Sequence, residues 1–382
     1  MHRIPVDRRI VFINQSAGYL TIDIINQFLE AGHKCDLITG LLVERNRSIG
    51  EAVKVRNIIR YNNTTQIRRI ITWGYATIQI FFIALFKYRN AHLFFFTNPP
   101  SAILTTILLP NSYSLLIFDV YPEAITELGV LKRSSLIIKL WKSANRLIYR
   151  RASDIFTITE GMRELISSYP TKKPIEVVNL WADSEFLHRL PNEKNPFIAK
   201  YGLTGKFIVL YSGKIGYTSD VEVLCDVANT IDNDEVRFVI IGDGARRKQI
   251  DERIISSGLK TITLLPWQDV SLLPFTLSAA DIGVVILSKA ASRLSIPSKT
   301  FSLLAMGTPV LGIAGDDSDL NIMINHYHIG KCFLPEDING IVQFINALEK
   351  DRKTCSELND NALTASRFFT RKNAEKFVFI HE

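Results

Sequence analysis

The sequence predicts an α/β protein made of two doubly wound, Rossmann-like domains. Three observations carry that expectation. Short apolar runs of strand character alternate with helical segments, the alternation comes as two successive sets, and a polar stretch with two prolines separates the sets. In the first set RIVFI, KCDLIT, VRNII, HLFFFT, LLIFD, DIFTIT and IEVVN read as strands. In the second, KFIVLYS, RFVIIG, TITLLP, DIGVVIL, TPVLGI and KCFL do so, with SDVEVLCDVANTI and ARRKQIDERIISSG among the helices between them. The buried strand HLFFFT, the short helix SAILTTILL and the strand YSLLIF form one strand–helix–strand unit of a parallel sheet covered on both faces. A length of 382 residues agrees, because one hydrophobic core rarely serves so long a chain. The join is expected in 184–198, giving domains 1–188 and 189–361, with a C-terminal helix in 362–382 packing back on the first. Ligands of doubly wound sheets bind beyond the carboxyl ends of the strands, so the expected site is a cleft where two such ends face each other.

Charge is uneven along the chain. Residues 1–190 carry 24 basic and 15 acidic side chains, net +9, and residues 191–382 carry 21 and 23, net −2. The first half is therefore expected to meet an anionic partner, whether nucleic acid, membrane surface or phosphorylated substrate. The basic helices match no nucleic-acid-binding module, so nucleic acid is not expected. Cys35, Cys225, Cys332 and Cys355 are widely spaced and suggest neither a zinc site nor a disulfide framework. The N-terminus lacks the apolar stretch of a secretory signal, which leads to a cytoplasmic expectation.

Residues 70–86 form the one candidate membrane segment, flanked by Arg68, Arg69, Lys87 and Arg89. Seventeen residues fall short of the roughly 20 needed to span. A core helix with basic ends is the first reading, and a helix resting on an anionic membrane surface the second. The stretch 131–152, with seven Lys/Arg among Leu136, Ile137, Leu140, Trp141, Leu147 and Ile148, reads as an amphipathic helix, either solvated or on acidic lipid.

Four loops after strands are candidates for chemistry. Gly18 precedes a helix starting near Tyr19, where backbone amides can face an anion, though a plain turn explains it equally. In YSGKIGYTSDVEVL, Gly213 and Gly216 permit a tight turn, Lys214 supplies a charge, and Ser219 or Asp220 can cap the next helix; this reads as a phosphate cradle without P-loop spacing, or as an ordinary turn with an exposed lysine. Gly242-Asp243-Gly244 reads as turn chemistry. Around SIPSKTFSLLAMG, Ser298 is expected to cap a short helix whose N-terminus gathers amides, the Ser298 hydroxyl and the Lys299 ammonium, as suits a pyrophosphate, with Ser302 one turn on for a sugar or ribose hydroxyl.

From Phe207 to Cys332, YSGKIG, the GDG turn, SAADIGVV and PSKTFSLLAMGTPV resemble a retaining GT-B glycosyltransferase of family 4, in the branch with the PSK signature that contains bacterial N-acetyl-L-fucosamine transferases of O-antigen and capsule assembly. RIVFINQ, LEAGHKCDLITG, FDVYPEAITELGVLK and TITEGMRELI are similar to that branch's acceptor domain, so the likeness covers nearly the whole chain. The resemblance implies transfer of a sugar from a nucleoside-diphosphate donor, expected to be UDP-linked, to an undecaprenyl-pyrophosphate-linked saccharide at the inner membrane surface, with no metal. Departures exist: the usual E-x7-E carboxylates are Leu294 and Ser302, the usual His is Phe118, and one diphosphate-gripping lysine is absent, a part assigned here to Lys299. Asp119 and Glu160 are the candidates for orienting acceptor or sugar; a turn residue and a first-turn helix acid are their plain alternatives. A sugar-nucleotide 2-epimerase and a non-catalytic GT-B partner subunit remain as other readings of the same fold.

Overall fold

The computed structural model describes residues 8–127, 132, 134–216, 219–288 and 296–379. Leu294, one of the departures above, lies outside them. The chain divides into two compact units, Met1–Leu180 with Arg371–Glu382, and Trp181–Thr370.

The first unit is built on a seven-stranded parallel sheet of β1 (Ile10–Ile13), β2 (Cys35–Thr39), β3 (Lys54–Asn57), β4 (His92–Phe96), β5 (Tyr113–Ile117), β6 (Asp154–Thr157) and β7 (Ile175–Val177), in the order β3-β2-β1-β4-β5-β6-β7. Ile10 of β1 lies opposite Cys35 on one side and His92 on the other. The order reverses there, which makes the loop after β1 a topological switch point. The central strands β1, β4 and β5 are buried along their whole length because both faces are covered, and Phe12, Phe94 and Phe156 are fully buried, whereas the edge strand β3, KVRN, is largely exposed. Phe28 of α1 (Tyr19–Glu30) packs edge-on to Phe12, and Phe377 of the returning C-terminal segment sits 4.9 Å from the Phe156 ring. Helix α2 runs over Gln66–Lys87, started by Thr65, whose hydroxyl accepts from Arg68 N. At 22 residues it is longer than the apolar run alone suggests, and only one stripe of it is buried, so the core-helix reading is corrected. SAILTTILL forms a 3-10 helix at Pro100–Ile107. The basic stretch forms α3 (Leu136–Arg151), followed by α4 (Glu160–Ser167).

The second unit repeats the scheme with β8 (Phe207–Ser212), β9 (Val236–Ile241), β10 (Ile262–Leu265), β11 (Ile282–Ile286), β12 (Val310–Ile313) and β13 (Gly330–Phe333), all parallel, ordered β10-β9-β8-β11-β12-β13. Its switch point lies between β8 and β11, where the loops after β8 and β11 diverge. Among its helices are α5 (Glu222–Thr230), α6 (Arg247–Ser256), α7 (Ser298–Ala305) and α8 (Arg352–Ser366).

The division falls at residue 180 rather than 188. Residues 181–190 belong to the second unit because Ala182 N donates to Phe369 O, Arg189 to Gly307 O at 3.1 Å and Leu190 N to Ser278 Oγ at 3.0 Å. The return to the first unit begins at Arg371 rather than 362, since α8 packs on α7.

Candidate functional site

The loop after β8, Gly213-Lys214-Ile215-Gly216, is pinned through its backbone. The Lys214 carbonyl accepts from the Tyr211 hydroxyl and from Ser219 Oγ, each at 2.8 Å. The loop after β9 lies directly against it: Gly213 N donates to Ile241 O and Ile215 N to Asp243 O, both at 2.9 Å. This approach requires glycine. Gly242 has φ +159°, and a Cβ there would stand 1.9 Å from Gly213 O; Gly244 has φ +148°, and a Cβ would stand 2.3 Å from Ile215 O. Asp243 keeps its turn role, accepting from Gly244 N at 2.7 Å. Neither expected cap of α5 acts as one. Ser219 is engaged by the Lys214 carbonyl, Asp220 pairs with Arg246 at 3.1 Å, and Val221 occupies the N-cap without a side-chain bond.

Helix α7 delivers the second cation to the same loop. Pro297, not Ser298, is its N-cap, and no side chain caps it; Ser298 is exposed at the first helical position and Ser302 is half-buried a turn later. Lys299 is half-buried, and its Nζ sits 3.7 Å from the centroid of the Tyr211 ring. It touches the loop so closely that a Cβ on Gly213 would lie 2.6 Å from Nζ. The structure therefore brings together Gly213, Lys214 and Lys299 from loops 86 positions apart in sequence. No carboxylate among the described residues pairs with Lys299. Burial without such a partner pushes its ammonium pKa down from 10.5 to about 7. Lys214, next to Gly213 in the chain, is exposed. An aromatic face holds a cation in place but does not neutralise it. Tyr211 was not singled out in the sequence. A Tyr at the end of a buried strand gives no hint of the cation it will carry.

The remaining candidates lie in the first unit. Gly18 is the N-cap of α1, uncapped by any side chain and with open space where a Cβ would go. Glu160, at the first position of α4, pairs with Arg163 at 2.5 Å, both exposed, which is the helix-terminus arrangement of the plain alternative. Phe118 stacks on Phe96. Asp119, just past β5, is solvent-accessible, yet the protein around it desolvates the carboxyl and holds its pKa above the ordinary range. It interacts electrostatically with Tyr61 and Tyr121. Those two belong to an aromatic row, Tyr61–Trp73–Tyr121–Trp141, with successive centroids 6.0, 6.1 and 5.9 Å apart and the Arg69 guanidinium over Trp73. Sequence reasoning missed this row because its members come from four separate elements.

The fold defines a class: two Rossmann-like units, the GT-B fold, with Lys299 of the second set against the loop that carries Lys214. Residues 183–364, within the second unit, match the family Glycosyl transferases group 1. The chain is 25% identical over 260 residues to the probable glycosyltransferase WbjE of Pseudomonas aeruginosa, a match covering 66% of this chain and 64% of that protein. It is 27% identical over 138 residues to the putative colanic acid biosynthesis glycosyl transferase WcaI of Escherichia coli K12, covering 36% of this chain and 34% of that one. The matched stretch thus spans less than two thirds of either relative. Among solved structures, HepE of Anabaena in complex with UDP-glucose has TM-score 0.71 at 14% identity, over 97% of this chain and 98% of that one, a likeness of fold.

Proposed function

We propose that the chain is a retaining glycosyltransferase of bacterial surface-polysaccharide assembly, moving a sugar from a UDP-linked donor to an undecaprenyl-pyrophosphate-linked saccharide at the cytoplasmic face of the membrane. An N-acetylamino deoxysugar such as N-acetyl-L-fucosamine is the donor sugar that the resemblance to the PSK branch implies. The observation that carries this reading is the Lys299 ammonium, without an acidic partner among the described residues, set against Tyr211 and against Gly213 in the loop that holds Lys214. The UDP-glucose bound by a protein of the same fold, and the polysaccharide role in the name of WcaI, support it.

In the proposed reaction the bond from the anomeric carbon to the diphosphate breaks as the bond to the acceptor oxygen forms on the same face. The acceptor proton passes to the departing diphosphate. Negative charge grows on that leaving group, so cations fixed beside it act more strongly in the transition state than in the ground state. Lys214 and Lys299 supply this neutralisation without a metal. Amides and the Ser298 hydroxyl at the uncapped start of α7 add donors to the diphosphate, and Ser302 serves a ribose or sugar hydroxyl. In the first unit, Asp119 orients the acceptor hydroxyl. Replacing Asp119→Asn is expected to lower turnover by about 10- to 100-fold with UDP affinity unchanged, as measured by initial rates beside calorimetry.

Lys299 gives a pH signature whose sign is fixed. In the free protein it is charged below about pH 7 and neutral above. A bound diphosphate favours the charged form, so binding above pH 7 takes up a proton and UDP affinity falls, by at most about tenfold per pH unit. Calorimetry at pH 8 in two buffers of different ionisation enthalpy should show uptake approaching about one proton per UDP. Lys299→Met should abolish it. The same lowered pKa costs folding stability below about pH 7, a cost released as pH rises toward 10.5.

The overall reading is tested by incubating the purified chain with UDP- and GDP-sugars and undecaprenyl-pyrophosphate-linked GlcNAc. Sugar transfer supports it. Epimerised donor, or neither product, would replace it with one of the other readings of the fold.

A further inference from the structure

The first unit carries an apolar surface that the chemistry above leaves unused. On α2 the buried residues Thr72, Ala76, Ile80 and Ala84 recur every four positions and form one stripe. The opposite stripe shows Ile67, Ile71, Tyr75, Ile78, Phe82 and Phe86, from 50% exposed at Phe82 to 76% at Phe86. Their spacing of three and four places them on one helix face. Helices α2 and α3 both pack on the 3-10 helix Pro100–Ile107, next to which Leu108 is exposed, and α3 adds exposed Leu136, Ile137 and Leu140. Apolar exposure on this scale marks a binding surface. Its rim is basic: Arg68, Lys87 and Arg89 at the ends of α2, and Lys139, Arg146 and Arg150 on α3, are all exposed. No Asp or Glu occurs between Glu51 and Asp119, or between Glu127 and Asp154.

We propose that this face docks on an anionic lipid bilayer, with α2 lying in the plane of the interface, its apolar stripe at the boundary of the acyl chains and the basic rim among the phosphates. The inference deepens the proposed function, since it supplies the surface on which a lipid-borne acceptor is met. A spanning placement of α2 conflicts with its buried stripe, although the helix is long and apolar enough by length and composition to cross. Dimerisation through the same face would set the basic rim of one copy against that of the other with no acidic residue in either segment to meet it.

The test is flotation of the full-length chain with vesicles of phosphatidylglycerol and phosphatidylethanolamine that contain no acceptor. The wild type is expected to float, to lose part of its binding but not all of it in 1 M salt (Debye length about 3 Å), and to bind vesicles lacking phosphatidylglycerol at least ~10-fold less well. Ile78→Glu with Phe82→Glu, both on exposed positions, should abolish flotation while UDP binding measured by calorimetry stays unchanged. Lys139→Glu with Arg146→Glu should weaken flotation at low salt and leave the residue of binding seen at high salt. Unaltered flotation of the Ile78/Phe82 variant overturns the proposal. So does resistance to alkaline carbonate extraction, which would mean a spanning helix, and so does a lipid-free dimer that this variant dissolves, read by light scattering. Because the vesicles hold no acceptor and UDP is measured apart, an inactive enzyme that still floats would sink the proposed reaction and leave the docking surface standing.

Discussion

Lys299→Ala is expected to lower turnover with a UDP-sugar by about 100-fold or more, the scale of removing one preorganised transition-state donor, or roughly 2.7 kcal/mol. The fold should survive. The ammonium is half-buried over Tyr211 with no anionic partner among the described residues, so its removal relieves desolvation rather than breaking a bridge. A thermal midpoint equal to or above the wild type, together with the loss of turnover, is thus the expected pair of results. Unchanged turnover in the Ala variant would remove Lys299 from the reaction.

Gly242→Ala should damage the same site from behind. The residue holds φ +159°, and its new methyl would meet the Gly213 carbonyl at 1.9 Å. Something must move, and the neighbour is backbone. Strain of this type costs of order 1–3 kcal/mol, and the displaced loop is the one carrying Lys214. The expected outcome is a fall in the urea midpoint together with at least ~10-fold weaker UDP binding, since about 1.4 kcal/mol of lost geometry is tenfold in affinity. An Ala at Gly205, where φ is +76° but nothing lies within 4 Å, controls for backbone strain alone. If that control weakens UDP binding as much, loop contact is not the cause.

The sheets were legible in the sequence because parallel strands covered on both faces are written as unbroken apolar runs; HLFFFT needs no partner to be recognised. Helix caps were less so. Ser298, Ser219 and Asp220 all have cap-forming side chains, but each competes with a tertiary demand: Pro297 takes the N-cap position, the Lys214 carbonyl takes Ser219, and Arg246 takes Asp220. The domain boundary was misplaced for a related reason, since a polar stretch without period does not say which unit its backbone will bond to. The encounter of Lys299 with Gly213 could be anticipated from the two loops, each following a strand at the switch point. The Tyr61–Trp141 row could not, and neither could the exposed stripe of α2, because a helix apolar on every face reads the same whether protein or something else covers its outer side.

That two-sided helix has a kinetic consequence. Arg69 and Trp73 on α2 sit in the aromatic row beside Asp119, while Ile78 and Phe82 point the other way. A chain anchored through the outer side searches for its acceptor by lateral diffusion, so its rate should track the mole fraction of acceptor among the lipids, and adding inert lipid at constant acceptor should slow it by surface dilution.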